Sequence, residues 1–87
     1  MIVLIRKSFE KDSKNLAPDL KKQVYSVIQH MQMSNDLVEF PNCKKLSGYK
    51  NAYRIRLGNY RIGFFYSNNS VELIRILHRK EVYRYFP

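Results

Sequence analysis

Cysteine is almost absent from this chain of 87 residues, which contains Cys43 alone. A single thiol excludes an internal disulfide and any metal site built from several cysteines, and it is usual in a reducing compartment. Long apolar runs are missing as well. The opening run Met1–Ile5 is too short for a signal-peptide core and far below the roughly 20 apolar residues that span a bilayer. We therefore expect a cytoplasmic protein.

Acidic residues are scarce in the second half of the chain. From Lys44 onward the sequence has ten of its 16 Lys and Arg residues but only two of its seven acids, Glu72 and Glu81. This half therefore carries +8 of the net charge of +9. Each Lys or Arg that neutralises a phosphate releases a condensed counterion, so such a surface attracts polyanions. Nucleic acid is the commonest partner for a small basic domain.

The length of the chain predicts one domain, residues 1–87, which is large enough to bury a core. Hydrophobic residues make up 45% of the sequence and include five Phe and seven Tyr. That apolar content offsets the entropy of ordering the chain, so we expect a folded protein despite the high charge.

The first half of the sequence predicts a strand followed by two helices. Ile2–Ile5 is a continuous β-branched and leucine run, which is typical of a strand buried on both faces or of the innermost edge of the core. Ser8 is a candidate N-cap for a short helix over Phe9–Asn15, and Pro18 suits the first turn of a second helix because proline loses no hydrogen bond there. Apolar residues then recur at three- and four-residue spacing as far as Met31. This helical hairpin should pack one face on a sheet.

The second half predicts an antiparallel meander. Three runs alternate apolar with basic residues, as half-buried strands of a basic sheet do: Ala52–Leu57, Tyr60–Tyr66 and Val71–His78. Gly58–Asn59 is a two-residue hairpin signal, and Ser67–Ser70 predicts a longer turn. The predicted fold class is therefore α+β: an N-terminal strand, a helical hairpin, a three-stranded antiparallel meander and a short C-terminal turn.

Basic residues line one face of the predicted meander. Arg54, Arg56 and Arg61 fall on one side of their strands when their apolar neighbours fall on the other. No acid shares the strand of Arg54 and Arg56, and clustered charge of one sign repels itself, so we favour a binding surface over an ordinary solvated face. Residues 34–51 are predicted to be a connecting loop. Three loop lysines are expected to touch phosphates loosely: Lys44, Lys45 and Lys50.

Two positions in the meander leave alternatives open. Gly63 makes a gap on the face of Arg61, and this gap either admits a nucleotide or relieves crowding. Arg75 interrupts an apolar run, and alternation does not decide which way it points. We expect Arg75 to pair with Glu72 or with another acid.

The chain matches no Gly-rich phosphate loop, no Ser/His/Asp arrangement and no zinc spacing, so neither a cofactor nor a metal is expected. The arginine cluster, the strand-end His78 and several tyrosines remain. Those groups suit metal-independent RNA cleavage. In that reaction a base deprotonates the 2′-hydroxyl, cations stabilise the pentacoordinate phosphate, and an acid protonates the departing 5′-oxygen.

Three segments in this order resemble the RelE/ParE toxin superfamily: Lys45–Gly48, Tyr53–Ile62 and His78–Tyr83. The superfamily consists of toxins of type II toxin–antitoxin systems. RelE-like members enter the ribosomal A site and cut mRNA without a metal, whereas ParE-like members inhibit DNA gyrase. The resemblance implies a microbial-ribonuclease-like fold and a small antitoxin partner whose acidic tail covers the basic surface.

The resemblance also implies which residues act. Arg54 and Arg56 stand where the RelE branch has two lysines, and Arg61 matches the arginine of the following strand. Arg79 is similar to the arginine after the last strand, and Tyr83 fits the tyrosine of a Glu-Val-Tyr motif. These residues are expected to stabilise charge on the phosphate, with Tyr83 stacking on a base or donating a hydrogen bond.

The two arginines in place of lysines leave the reaction without an obvious base, because a guanidinium does not release its proton. Several related nucleases have a histidine where His78 stands. We therefore expect His78 to exchange the proton, since imidazole does so near neutral pH.

The favoured interpretation is a ribosome-dependent mRNA endoribonuclease that inhibits translation. Two alternatives remain: a ParE-like gyrase inhibitor without nuclease activity, and a non-catalytic RNA-binding module.

Overall fold

A computed structural model describes all residues, 1–87, as an α+β fold. Its elements in chain order are β1 (Ile2–Ile5), α1 (Lys7–Ser13), α2 (Pro18–Met33), a 3₁₀ turn (Leu37–Glu39), β2 (Cys43–Lys45), β3 (Ala52–Leu57), β4 (Tyr60–Ser67), β5 (Ser70–His78) and α3 (Val82–Tyr85). None of the helices combines the length and the apolar content that crossing a membrane requires.

The five strands form one sheet in the order β1-β5-β4-β3-β2. β1 pairs with β5 in parallel, and the other three pairs are antiparallel. The chain leaves β1, forms α1 and α2, crosses to the far edge and returns through the meander. The predicted order of strand, helical hairpin and meander is therefore confirmed. The expectation that the first strand is buried is wrong: β1 is an edge strand, and Ile2, Leu4 and Ile5 are 58%, 51% and 44% exposed.

One strand and one turn differ from what the sequence predicts. β2 lies inside the predicted loop over residues 34–51 and pairs with β3 at the edge of the sheet. Its three residues include two lysines and show no apolar alternation, which is how short edge strands avoid pairing with other chains. The turn after β4 is shorter than predicted. Only Asn68 and Asn69 form it, with φ of 49° and 61°, a conformation that Asn tolerates better than most residues.

Ser8 does not cap the first helix, contrary to the prediction. α1 begins at Lys7, and its N-cap residue, Arg6, makes no side-chain capping bond. The Ser8 hydroxyl instead donates to the carbonyl of Ile74. The serine therefore fastens the helix to β5.

The main core lies between the sheet and the helices α1 and α2. Eleven buried apolar residues form it: Phe9, Val24, Met31, Leu37, Phe40, Ile55, Ile62, Phe64, Val71, Leu73 and Ile76. The opposite face of the sheet has a smaller cluster of three buried residues, Ala52, Val82 and Phe86, which the C-terminal segment completes.

Arg75 has an acidic partner, as expected, and the partner is Asp12 on α1. Its Nε and Nη2 donate to the two carboxylate oxygens at 2.7 and 3.0 Å, and the Ile76 amide donates to the same carboxylate at 3.1 Å. The hydrogen bond to Asp12 raises the pKa of Arg75 above its ordinary value. The pair joins α1 to β5 and removes Arg75 from the set of free cations.

Candidate functional site

β3 and β4 bring three arginines to the sheet face opposite the helices. Arg56 pairs directly with Arg61 across the ladder, and Arg54 pairs with Gly63. Their neighbours Ile55 and Ile62 are buried on the other face, as the two-residue period of a strand requires. The predicted convergence of the arginines is confirmed.

The arginines line a groove of about 380 Å³ beside β2. Its lining residues are Pro41, Asn42, Cys43, Lys44, Leu46, Arg54, Arg56, Arg61 and Tyr83. A neighbouring depression of about 350 Å³ shares three of these and is lined by Arg54, Arg61, Arg79, Lys80, Val82 and Tyr83. We call the two together the cationic groove. No Asp or Glu lines either part, so its field is that of unneutralised cations.

The acids of the second half lie elsewhere. Glu72 forms an ion pair with Arg6 near the β1 edge of the sheet. Glu81 lines a different depression, next to Asp12. No three His, Cys, Asp or Glu side chains cluster closely enough to hold a metal ion.

Arg54 is held in place by the C-terminal segment. Its Nη2 donates to the carbonyl of Phe86 at 2.8 Å, and its Cζ lies 4.5 Å from the ring centroid of Tyr83. Its Nε is buried without a hydrogen-bond partner. A guanidinium fixed between a carbonyl and an aromatic face is preorganised, because it loses little further freedom when it binds an anion.

Arg61 is also oriented by the backbone. Its Nη1 donates to the carbonyls of Gly58 and Tyr60, both at 2.9 Å. Gly58 has φ of 61° at the first position of the β3–β4 turn, a conformation that glycine adopts without strain. The remaining donors of Arg61 stay available to the groove. Arg56 and Arg79 are exposed and form no hydrogen bond through their side chains.

The gap at Gly63 is filled by the chain itself. A Cβ on Gly63 would lie 2.5 Å from Cγ and Cδ2 of Phe86, so the ring of Phe86 rests on the backbone of β4. Of the two alternatives for this glycine, relief of crowding is the correct one, since no space for a nucleotide remains there.

His78 faces away from the cationic groove. Its partner across the ladder is Tyr60, whose ring centroid is 5.5 Å away and which packs against the core on the helix side. His78 lines a separate depression with Leu16 and Asp12, and its Nδ1 accepts a hydrogen bond from the Lys80 amide at 3.2 Å. The prediction that His78 converges with the arginines is therefore wrong.

A β-bulge explains the error. The β4–β5 register shifts between Gly63 and Phe64, and Ile74 is left without a partner on β4. One extra residue reverses the facing of every side chain that follows it. Uninterrupted alternation along β5 would have placed His78 on the arginine face.

The three predicted RNA-binding lysines lie in different places. Lys44 pairs with Arg54 and lines the groove. Lys45 pairs with Tyr53, which packs on the helix side, so Lys45 belongs to the opposite face. Lys50 lies exposed in the turn before β3 and lines no part of the groove.

Lys44 is expected in a flexible loop, yet a strand fixes its backbone beside Arg54. Lys80, which the sequence does not single out, also lines the groove. Adjacent lysines in a short edge strand carry no pattern that distinguishes the inward from the outward one. Next to Lys44, burial raises the pKa of the Cys43 thiol to about 11, so this thiol is a poor nucleophile at neutral pH.

Comparison with known proteins places the chain in a family. Residues 3–83 match the family model described as ParE toxin of type II toxin-antitoxin system, parDE. The protein Toxin RelE3 of Methanocaldococcus jannaschii is 43% identical over 88 residues, which cover 100% of both chains. The chain belongs to the RelE/ParE family of type II toxins. The resemblance seen in the three motifs is confirmed.

Solved structures agree with the fold of this toxin. The RelB-RelE antitoxin-toxin complex from Methanococcus jannaschii contains a chain with 42% identity and a TM-score of 0.84, covering 97% of this chain and 99% of that one. The RelE-RelB complex from Pyrococcus horikoshii gives a TM-score of 0.72 at 20% identity, with 90% and 93% covered. The intact RelBE complex of E. coli gives 0.68 at 18% identity, with 86% and 92% covered. The last two likenesses concern the fold alone.

Proposed function

We propose that this toxin is a ribosome-dependent, metal-independent endoribonuclease that cuts mRNA and thereby stops translation. The observation that carries the proposal is the cationic groove, where preorganised arginines meet an exposed tyrosine and no carboxylate intervenes. A metal site built from two carboxylates would need acidic side chains in the groove instead of these cations. An arginine set of this kind suits a phosphodiester that gains negative charge in the transition state.

The arginines supply charge stabilisation. Arg54 and Arg61 are oriented by backbone carbonyls before any ligand arrives, so they do not have to reorganise as charge develops. Arg56 and Arg79 add exposed cations that draw the RNA backbone in. Tyr83 is 79% exposed and offers its free face for stacking on a base.

The proton transfers fall to residues other than the arginines and His78. Guanidinium groups do not give up a proton under ordinary conditions, whereas amines and phenols exchange one. Lys44, Lys80 and Tyr83 are the groove side chains with that ability. We assign to Lys44 the donation of a proton to the departing 5′-oxygen, because the pairing of its backbone with β3 directs it beside Arg54. Lys80, the other amine of the groove, is then assigned the uptake of the proton from the attacking 2′-hydroxyl.

A small antitoxin is the proposed partner. Relatives of this toxin have been solved with RelB bound. An acidic segment laid along the cationic groove would neutralise it and exclude RNA, since complementary charge gives both fast association and specificity. A partner encoded beside this toxin should co-purify at low salt and be released as salt screens the contact.

The decisive experiment is to express the toxin without antitoxin and to map the 5′ ends of cellular mRNA. We expect cuts within codons of translated messages, and equal cleavage of mRNA on programmed ribosomes by toxin that has first been stripped with EDTA and then freed of the chelator. Arg61→Ala should reduce the cleavage rate about 10²- to 10³-fold, the usual cost of one oriented donor. Lys45→Ala, on the opposite sheet face, is the matched control and should keep its rate.

Gyrase inhibition is the second candidate, because the matching family model is that of ParE toxins. Intact mRNA together with broken DNA and halted replication would favour it over cleavage of mRNA. Ribosomes that retain the toxin on uncut mRNA would favour a non-catalytic RNA-binding module instead.

A further inference from the structure

Phe86 lies where three elements meet, although it does not line the cationic groove. Its side chain is 1% exposed and packs with Ala52 and Val82. Its ring rests on Gly63, close enough that a methyl group there would overlap the ring carbons at 2.5 Å. A glycine inside a strand weakens the strand and is kept where another group approaches the backbone closely. The absence of a side chain at Gly63 therefore lets the ring of Phe86 pack on the strand backbone.

The packing site of Phe86 on Gly63 lies directly beside Arg54. Gly63 and Arg54 are partners across the β3–β4 ladder. The backbone carbonyl of Phe86 accepts from Arg54 Nη2, and Tyr83, three residues earlier in the same segment, lies under the guanidinium. The Phe86 amide donates to the carbonyl of Val82 at 2.9 Å, which makes the segment one short folded unit. The unit that rests on Gly63 also encloses Arg54.

We propose that Phe86 is a positioning residue for RNA cleavage. Its ring, seated on Gly63, sets the height and direction at which the C-terminal segment holds the guanidinium of Arg54. This inference rests on the proposed nuclease function. A displacement of about 1 Å at a group that stabilises the transition state costs roughly 10²-fold in rate. The packing of this apolar ring should therefore affect the rate of cleavage.

Gly63→Ala tests the proposal without removing any charge. The added methyl group displaces the ring of Phe86 and with it the hold on Arg54. We expect single-turnover cleavage on programmed ribosomes to slow about 10- to 100-fold. Ribosome affinity and its salt dependence should stay as they are, because every cation remains. The double variant Gly63→Ala/Phe86→Leu should recover part of the rate, since the shorter side chain makes room for the methyl group.

Three outcomes of these kinetics would overturn the proposal: a wild-type rate for Gly63→Ala, a loss of affinity as large as the loss of rate, or no recovery in the double variant. Ile74→Val is the matched control. Ile74 packs against the same small cluster from β5. The change leaves Gly63, Phe86 and Arg54 themselves intact, and its cleavage rate should remain close to that of the wild type.

Hydrogen exchange at Arg54 Nε–H gives a readout that needs no RNA. This group is buried in the wild-type toxin, so its NMR signal should exchange slowly. The slow signal should be lost in Gly63→Ala and in Phe86→Leu and kept in Ile74→Val. If Gly63→Ala does not fold, Phe86→Leu carries the measurement. Unchanged exchange in that variant would refute the positioning role, whereas failure of the wild type to cut mRNA would refute only the nuclease assignment.

Discussion

The two faces of the sheet consist of the same strands but are covered in different ways. The helix-covered face buries eleven apolar residues, whereas the other buries three beside the cationic groove. Along β3 and β4 each successive residue belongs to the opposite face. A single register therefore assigns Ile55 and Ile62 to the core and their neighbours Arg54 and Arg61 to the groove. A slip of one residue would bury the guanidinium groups, so the stable fold and the intact groove depend on the same pairing.

The largest expected effect is on the helix-covered face. Phe64→Ala should lower the free energy of unfolding by about 3–5 kcal/mol, because Phe64 is fully buried and its removal leaves a cavity. Arg56→Ala, from the groove face, should leave stability unchanged or slightly raised. Urea denaturation measures both. An equal loss of unfolding free energy in the two variants would mean that the groove face contributes as much to stability as the helix-covered face.

Arg75 contacts a helix from each of the two clusters that cover the sheet, so its contacts test the comparison of the two faces. It pairs with Asp12 on α1, and its Cζ lies 5.5 Å from the ring centroid of Tyr85 on α3. Asp12→Ala should lower the free energy of unfolding by about 1–3 kcal/mol, the cost of an unpartnered, partly buried polar group. Glu10→Ala, an exposed change on the same helix, should have little effect. Thermal unfolding of the two variants that gave the same midpoint would contradict the bridging role.

Lys44 and Lys45 are adjacent residues on opposite faces of the sheet. Substituting each in turn therefore tests which face binds RNA. Lys44→Gln should weaken binding to single-stranded RNA and lower the slope of log affinity against log salt by about 0.7, the value for one phosphate contact. Lys45→Gln should leave the slope as it is. A salt titration of both variants with one oligonucleotide decides the point, and identical slopes would count against the assignment of β2.

The smallest effect is expected at the sequence-predicted base. His78→Ala should cut mRNA at a rate within about twofold of the wild type, because His78 lies across the sheet from the arginines and its ring contacts Tyr60. Quantified cleavage on programmed ribosomes is the measurement. Abolished cleavage with normal folding would return His78 to the mechanism and require the groove to extend around the end of the sheet.

The sequence was sufficient wherever one local period ran without interruption. The spacing of apolar residues gave the second helix, and alternation on β3 and β4 placed Arg54, Arg56 and Arg61 together. Both patterns depend on neighbours a few residues away. The family motifs added the C-terminal Tyr83, which no local period would bring to the arginines.

The misses arose where a distant contact decides the local structure. Ile74 is unpartnered because of the register in which β4 pairs with β5. The resulting bulge directs His78 to the helix-covered face, whereas the sequence predicts the arginine face. The role of Gly63 depends on Phe86, which is 23 residues further along the chain. β2 consists of three residues that become a strand only because β3 offers them an edge. Each of these facts is tertiary, so inspection of the segment alone does not reveal it.

Arg56 and Arg61 stand directly opposite one another in the ladder, and like charges in that position destabilise a sheet. The toxin thus retains a pair that works against its own folding, as sites selected for activity often do. Harmless mutants recovered from a survival screen should therefore divide into two classes. Some will be misfolded, and others, neutralised at Arg56, will be more stable than the parent and will accumulate to higher levels in the cell.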